Sequence, residues 1–146
     1  IYGKPRFTLE SSESGEVELE IRKKSRGRKS KIAWNHAREL EYYWNQRDSL
    51  LLLDPYFKLG EGQRWRDPYV RMKLKVPVGT SVYLNENMTE IMYNIPNVSN
   101  TWDYDMVNKK WVMTDEGLAE QNTKIKIEKQ LVDTLEVQND TLNIGN

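Results

Sequence analysis

Closely spaced carboxylates are the first residues of this chain whose types and spacing could do chemistry. Asp103, Asp105 and Asn108 together match the opening of a calcium-binding loop. An EF-hand loop also needs an oxygen ligand at position five, glycine at position six and glutamate at position twelve. Counted from Asp103, those positions hold Val107, Asn108 and Thr114, so the pattern fails. We therefore predict no metal site here and expect these aspartates to cap a loop.

The remaining reactive side chains do not form a recognisable catalytic set. Asp115 and Glu116 are adjacent in a polar turn, whereas glycosidase acids must face each other across a cleft. His36 is the single histidine, and we interpret it as a structural residue of a helix. The chain has no cysteine, no glycine-rich phosphate loop and neither G-x-S-x-G nor H-E-x-x-H. We predict that the protein is not an enzyme and has no catalytic, cofactor-binding or metal-binding residues.

A basic run is the strongest candidate for a binding function. The segment 22–31 reads RKKSRGRKSK, and the segment 10–20 before it reads ESSESGEVELE, with five glutamates. The bases of the run are Arg22, Lys23, Lys24, Arg26, Arg28, Lys29 and Lys31. We interpret the run as a flexible, solvated loop whose charge the acidic strand offsets within a Debye length of about 8 Å. The functional alternative is contact with anionic lipid headgroups or with an acidic protein partner.

Nucleic acid is not an expected partner. The 146 residues contain 22 bases and 22 acids, and no aromatic residue interrupts the basic run to stack on a base. The chain is, however, rich in aromatics, which favours a packed core. A second use of aromatics would be a sugar-binding face. The candidates for such a face are Tyr42, Tyr43, Trp44, Trp65, Tyr69, Trp102, Tyr104 and Trp111.

The elements that must position these residues are mostly short strands. Apolar and charged residues alternate over 16–21, 71–76 and 124–128, which is typical of half-buried strands. Further strands are predicted at 7–9, 50–53, 82–84, 110–114, 135–137 and 142–144, with a turn at 77–80. The sequence thus predicts a mainly β domain of stacked short strands, as in a β-solenoid, with a β-sandwich or another α+β arrangement as the alternative.

One substantial helix is predicted within this β-rich chain. Apolar residues from Ile32 to Trp44 recur at spacings of four, three and four, which indicates one helical face. We expect Ser30 to be the N-cap and the helix to end near Asn45 or Gln46. A weaker helical turn is predicted over 89–93, ahead of Pro96.

Three strings in order carry a family resemblance. They are LLLLDPYFKL at 50–59, QRWRDPYVRMKLKVPVGTSVYL at 63–84 and DMVNKKWVMTDEGL at 105–118. In this order they resemble the C-terminal region of phage-shock-protein C (PspC) domain proteins from Bacteroidetes. That region is in turn related to β-stacked, adhesin-like "toast-rack" domains. The likeness covers residues 16–118 of a single domain spanning 1–146, and residues 119–146 add further short strands.

The resemblance implies what the residues alone do not. It implies a longer membrane protein of the cell envelope, with this region as its soluble end on one side of the inner membrane. It implies a non-enzymatic scaffold in the envelope stress response that contacts a protein partner. An extracellular adhesin-like module that binds glycans or proteins is the alternative. Exposed strand edges would also allow self-association.

Overall fold

The computed structural model describes residues 1–121 in full and the backbone of two later strands, 134–138 and 142–145. The predicted strand at 124–128 lies outside the described residues, and so do residues 139 and 140 of a turn predicted at 138–140. The described strands are β1 (Tyr2–Gly3), β2 (Arg6–Ser11), β3 (Glu18–Lys24), β4 (Trp44–Arg47), β5 (Leu50–Leu53), β6 (Phe57–Lys58), β7 (Tyr69–Val76), β8 (Ser81–Leu84), β9 (Lys109–Thr114), β10 (Gly117–Glu120), β11 (Thr134–Gln138) and β12 (Leu142–Gly145).

In the part of the chain that the structure describes, helical structure consists of three short elements. They are α1 (Ser30–Arg38), a 3-10 helix (Glu86–Glu90) and the single turn α2 (Asp103–Met106). The described residues therefore form a mainly β protein with one substantial helix, as the sequence predicts. The 3-10 helix begins three residues before the predicted helical turn, because the side chain of Asn85 accepts a hydrogen bond from the backbone of Asn87 and caps it there.

The sheet that positions the candidate site has the strand order β2-β7-β3. Strand β7 pairs in parallel with β2 and antiparallel with β3, so two strands that are consecutive in sequence flank a third from much later in the chain. Arg6, Phe7 and Thr8 of β2 face Arg71, Met72 and Lys73 of β7. The alternation of β7 then buries Met72, Leu74 and Val76 on one face and leaves the intervening residues outside.

The other strands form small sheets around the same core. Strand β9 pairs with β8 and β10, β5 pairs with β4, and β1 pairs with β6, all antiparallel. Strands β11 and β12 pair with each other and with β5. The predicted turn between β7 and β8 is present: Thr80 donates its backbone N–H to Pro77, and Gly79 has a φ of +95°, which favours glycine.

Trp111 of β9 lies at the centre of the core. Its side chain is fully buried, and its indole Nε1–H donates to the backbone carbonyl of Met106 at 2.8 Å. Met106 itself is buried in α2, so this one bond ties the short helical turn to the sheet. A buried indole needs such a partner, because an unpaired N–H in the core lowers stability.

The prediction that the helix continues to residue 44 is wrong. Helix α1 ends at Arg38, and Trp44 lies in strand β4, where it faces Leu53 of β5. Leu40 and Tyr42 are both buried, a spacing of two that belongs to extended chain. The intervening residue, Glu41, exchanges both backbone hydrogen bonds with Lys58. Pairing with distant strands thus overrides the local helical spacing.

The start of the helix also differs from the prediction. The N-cap residue is Lys29, whose side chain makes no capping hydrogen bond, and Ser30 is the first helical residue. Ala37 is the buried residue of α1, whereas Ile32 and Trp34 are exposed. The helix therefore covers the core with a narrower face than the sequence spacing suggests.

Candidate basic cleft on the outer sheet face

The outer face of the β2-β7-β3 sheet carries nearly all its charges in three rows. At one end, Glu10, Lys75 and Glu18 lie side by side across the three strands. The middle row is Thr8, Lys73 and Glu20. In these two rows each lysine of β7 has carboxylates on neighbouring strands, which is a stabilising arrangement.

Ion pairs bear out this balance. Lys75 Nζ lies 3.2 Å from a carboxylate oxygen of Glu20 and 4.0 Å from Glu10, while Lys73 lies 3.7 Å from Glu10. The hydrogen bond and charge of Lys75 lower the pKa of Glu20, and those of Glu20 raise the pKa of Lys75. The acidic residues of β2 and β3 therefore mainly neutralise lysines of β7.

The third row has no acid. Arg6, Arg71 and Arg22 lie directly opposite one another on β2, β7 and β3, and we call them the arginine row. Arg22 lies 3.8 Å from Glu20, whereas Arg6 and Arg71 form no ion pair with any carboxylate of the described residues. Like charges that face each other across strands lower stability, so this row needs a compensating contact or a function.

Aromatic rings hold the cations at this end of the sheet. The guanidinium of Arg6 lies 4.2 Å from the ring centre of Tyr93, and that of Arg71 lies 5.2 Å from the ring centre of Tyr69. Lys24 Nζ lies 6.0 Å from the same Tyr69 ring. A cation–π contact fixes a cation in place without adding a negative charge, so Arg6 and Arg71 keep their full positive charge.

A concave site of about 500 Å³ opens beside the arginine row. Five bases line it, namely Lys4, Arg6, Lys24, Arg26 and Arg71, together with the aromatic residues Phe57, Trp65 and Tyr69. We call this set of residues the basic cleft. Asp67 is the one acidic residue among the described residues that line it, and it pairs with Arg26 at 3.1 Å.

The basic run is not the single flexible loop that the sequence suggests. Arg22, Lys23 and Lys24 belong to β3, because they pair with residues of β7, and Lys31 belongs to α1. The connector between them is packed. Ser25 is buried and donates to the carbonyl of Arg66, and a side chain at Gly27 would collide with the backbone of Ala33.

The structure therefore divides the seven predicted contact residues. Lys24 and Arg26 line the basic cleft, and Arg22 lies in the adjoining arginine row. Lys23, Arg28, Lys29 and Lys31 are exposed but do not line the cleft. Their contact with lipid or with a partner stays a prediction.

The cleft residues that the sequence reasoning missed come from other parts of the chain. Lys4 and Arg6 lie near the start, and Arg71 lies among the alternating charges of β7. Nothing near these positions resembles a basic run. Strand register places Arg6 opposite Arg71 and Lys24 opposite Tyr69, whereas Lys4 reaches the cleft from the segment between β1 and β2.

The carboxylates considered first have a structural role. The two oxygens of Asp103 accept hydrogen bonds from the backbone N–H groups of Asn94 and Ile95, at 2.7 and 2.9 Å. Asn94 has a φ of +48°, so the carboxylate clamps a tight turn. The predicted loop-capping role is confirmed for Asp103. Within residues 1–121 and the two later strands, no group of three or more His, Asp and Glu could hold a metal ion.

The aromatic residues do not form one face. Tyr42 and Trp111 are buried, and the hydroxyl of Tyr42 donates to the carbonyl of Asp54 at 2.8 Å. The exposed aromatics line different cavities: Tyr43 and Trp44 one, Trp102 another, and Trp65 the basic cleft. Trp65 is 53% exposed and stacks on Phe57 with ring centres 6.4 Å apart.

Comparison with known proteins identifies the family. Residues 3–129 match a family model described as the toast-rack domain found in some PspC proteins, at the C-terminal end of those proteins. Because the match covers most of the chain, this protein belongs to the PspC C-terminal toast-rack family. The predicted family is thus confirmed, and the Bacteroidetes origin stays a prediction.

The other comparisons add no further relatives. No curated protein and no solved structure matches the chain. Among the described residues, no helix is both long enough and apolar enough to span a bilayer.

Proposed function

We propose that this chain is a non-enzymatic interaction domain of a membrane-associated PspC-type protein of the envelope stress response. It contacts a protein partner at the cell envelope, beside the inner membrane, and requires no cofactor. We further propose that its short strands stack as in a β-solenoid, which membership of the toast-rack family supports. The observation that carries the proposal is the arginine row on an exposed sheet face of a chain in this family, where Arg6 and Arg71 have no carboxylate partner among the described residues.

Two further features support a contact role. The arginine row is built on regular strands of one sheet, which hold their side chains more firmly than a loop would. The most suggestive carboxylate of the sequence, Asp103, is already engaged by two backbone N–H groups. The charged sheet face, unlike Asp103, therefore has cations that are available to an external partner.

Site-specific crosslinking in cells tests the protein-partner role. A photoreactive amino acid would replace Lys24 at the cleft, or Asp48 in the turn between β4 and β5 as the matched control, in the full-length protein. We expect a distinct crosslinked partner from position 24 and not from position 48. The same products from both positions would contradict the proposal that this face is the contact surface.

Flotation with vesicles tests contact with anionic lipid. We expect more protein to float with vesicles that contain phosphatidylglycerol than with phosphatidylcholine alone, and less as salt is added. Equal recovery with neutral and anionic vesicles would remove lipid as a partner. Protease protection of the full-length protein would then show on which side of the membrane the domain lies.

Glycan binding, as in an adhesin-like module, remains the second candidate. The half-exposed Trp65 beside the cleft favours it, because a flat ring can support a sugar. A glycan array with hits that disappear in Trp65→Ala, and persist in the exposed control Trp102→Ala, would select this function. An array without hits would leave the protein-contact role as the better account.

Self-association through a sheet edge is a separate part of the proposal. All four residues of β4 are exposed, and β4 ends the strand order of its sheet. Such an edge can pair with a second copy. Light scattering over a range of concentrations measures this directly, and a constant monomer mass would exclude it.

A further inference from the structure

We infer that the basic cleft binds a phosphate group, carried either by a small polar molecule or by a lipid headgroup. The inference rests on the proposed function, since it names the chemistry that one surface of the interaction domain recognises. It differs from a general attraction between a basic run and a charged membrane. It places one saturable site at the arginine row, outside most of the run.

The charges of the cleft are only partly used within the protein. Arg26 pairs with Asp67, and Lys4 pairs with Glu90 at 3.4 Å. Arg6, Arg71 and Lys24 have no carboxylate partner among the described residues, although all three line one concave surface. Two guanidinium forks and an ammonium group can together serve the several oxygens of a phosphate.

The three free cations are held in place before any ligand arrives. The guanidinium of Arg6 makes a cation–π contact with Tyr93. Arg71 and Lys24 both make such a contact with Tyr69. Because aromatic contacts restrict the side chains, less conformational freedom is lost when an anion binds. On the same sheet face the lysines of β7 receive carboxylate partners, so the absence of acid at the arginine row is local.

The shape and chemistry of the cleft favour phosphate over a carboxylate. One carboxylate edge is satisfied by a single arginine fork, whereas phosphate offers more oxygens and up to two charges. The volume of about 500 Å³ also exceeds what a bare ion fills. Trp65, stacked on Phe57, supplies an apolar wall for the sugar or glycerol part of a phosphate ester.

Nuclear magnetic resonance titration of the 146-residue chain tests the site. The probes are inorganic phosphate and glycerol 1-phosphate, each compared with sodium chloride at equal ionic strength. We expect saturable shifts of the Trp65 indole N–H and of backbone amides in β7. The buried indole N–H of Trp111 and the exposed one of Trp102 serve as internal references that should not move. Shifts that never saturate, or that sodium chloride reproduces, would overturn the inference.

Matched double variants separate the cleft from the basic run. Arg6→Gln with Arg71→Gln removes two charges from the cleft, and Arg28→Gln with Lys29→Gln removes two charges from the run. All four positions are exposed, so both proteins should fold, which thermal melting checks. We expect the cleft variant to lose at least about tenfold in phosphate affinity and the run variant to change it by less than about twofold. Equal losses in both variants would refute a discrete site.

Vesicles distinguish the two sources of phosphate. If the cleft variant loses binding to phosphatidylglycerol vesicles and the run variant keeps it, the bound phosphate belongs to a lipid headgroup. Binding of glycerol 1-phosphate that such vesicles do not displace would assign it to a small molecule. If the unaltered chain shows no phosphate binding, this inference is overturned. The proposed function still stands in that case if crosslinking finds a protein partner. Phosphate binding without any crosslinked partner would support this inference and contradict the proposed contact with a protein.

Discussion

The arginine row gives a stability prediction that does not depend on any ligand. Arg71 and Lys73 are two positions apart on β7 and point to the same outer face, but their neighbours differ. Arg71 lies between Arg6 and Arg22, whereas Lys73 is paired with Glu10. Replacing each with glutamine should therefore have opposite electrostatic effects.

The magnitude follows from the neighbours of each residue. Arg71→Gln removes two like-charge contacts of roughly 0.5 kcal/mol each, the one with Arg22 being weakened by Glu20. It also loses a cation–π contact of about 0.5 kcal/mol with Tyr69, so the net change is a few tenths of a kcal/mol in favour of the folded state.

Lys73→Gln is the matched control. It loses a half-exposed ion pair of about 0.5 kcal/mol with Glu10 and gains nothing, so it lowers the free energy of unfolding. At low salt the two variants should then differ by roughly 0.8 kcal/mol, with Arg71→Gln the more stable. At 1 M salt, where the Debye length is about 3 Å, most of that difference should disappear.

Urea denaturation followed by tryptophan fluorescence measures both values, since urea does not change the ionic strength. With a typical m-value, the predicted difference corresponds to a midpoint shift of roughly 0.5 M at low salt. Equal midpoints for the two variants at low salt, or a difference that salt leaves unchanged, would show that the row is not electrostatically strained.

Two further predictions concern the core and the ion pairs. Trp111→Phe should lower the free energy of unfolding by roughly 3 kcal/mol, because it leaves a cavity and an unpaired buried carbonyl. Glu20→Gln should lower stability at neutral pH, because Lys75 holds the pKa of Glu20 below its ordinary 4.5. That loss should vanish as pH falls through the folded pKa of Glu20, and again as pH rises through the raised pKa of Lys75, above 10.5.

Each of these two predictions has a control on the same chain. Trp102 is 70% exposed, so Trp102→Phe should change the unfolding free energy by less than about 0.5 kcal/mol. A loss equal to that of Trp111→Phe would contradict the assigned burial. Glu16 makes no side-chain ion pair with the described residues, so Glu16→Gln should lower stability at neutral pH by less than Glu20→Gln does. An equal loss of stability in both variants would mean that general charge, and not the Lys75 contact, sets the effect.

Much of the strand pattern could be predicted because the information is local. Alternation at Met72, Leu74 and Val76 fixes which face of β7 is buried, and Gly79 permits the turn that follows. Where pairing with a distant strand decides the secondary structure, the local prediction is wrong. The chain after Arg38 has helical spacing, but it pairs with β5 and β6 and becomes extended.

The charges show the same division. The sequence alone established a chain of balanced charge with a basic run, an acidic strand before it and no recognised catalytic motif. Tertiary structure decided which charges meet, because strand pairing places Arg6, Arg22 and Arg71 in one row although they are far apart in the chain. It also pairs Glu10 and Glu20 with lysines of β7. Side-chain charge can be read from the order of residues, but neutralisation depends on distance, and only the register of the folded strands sets distance.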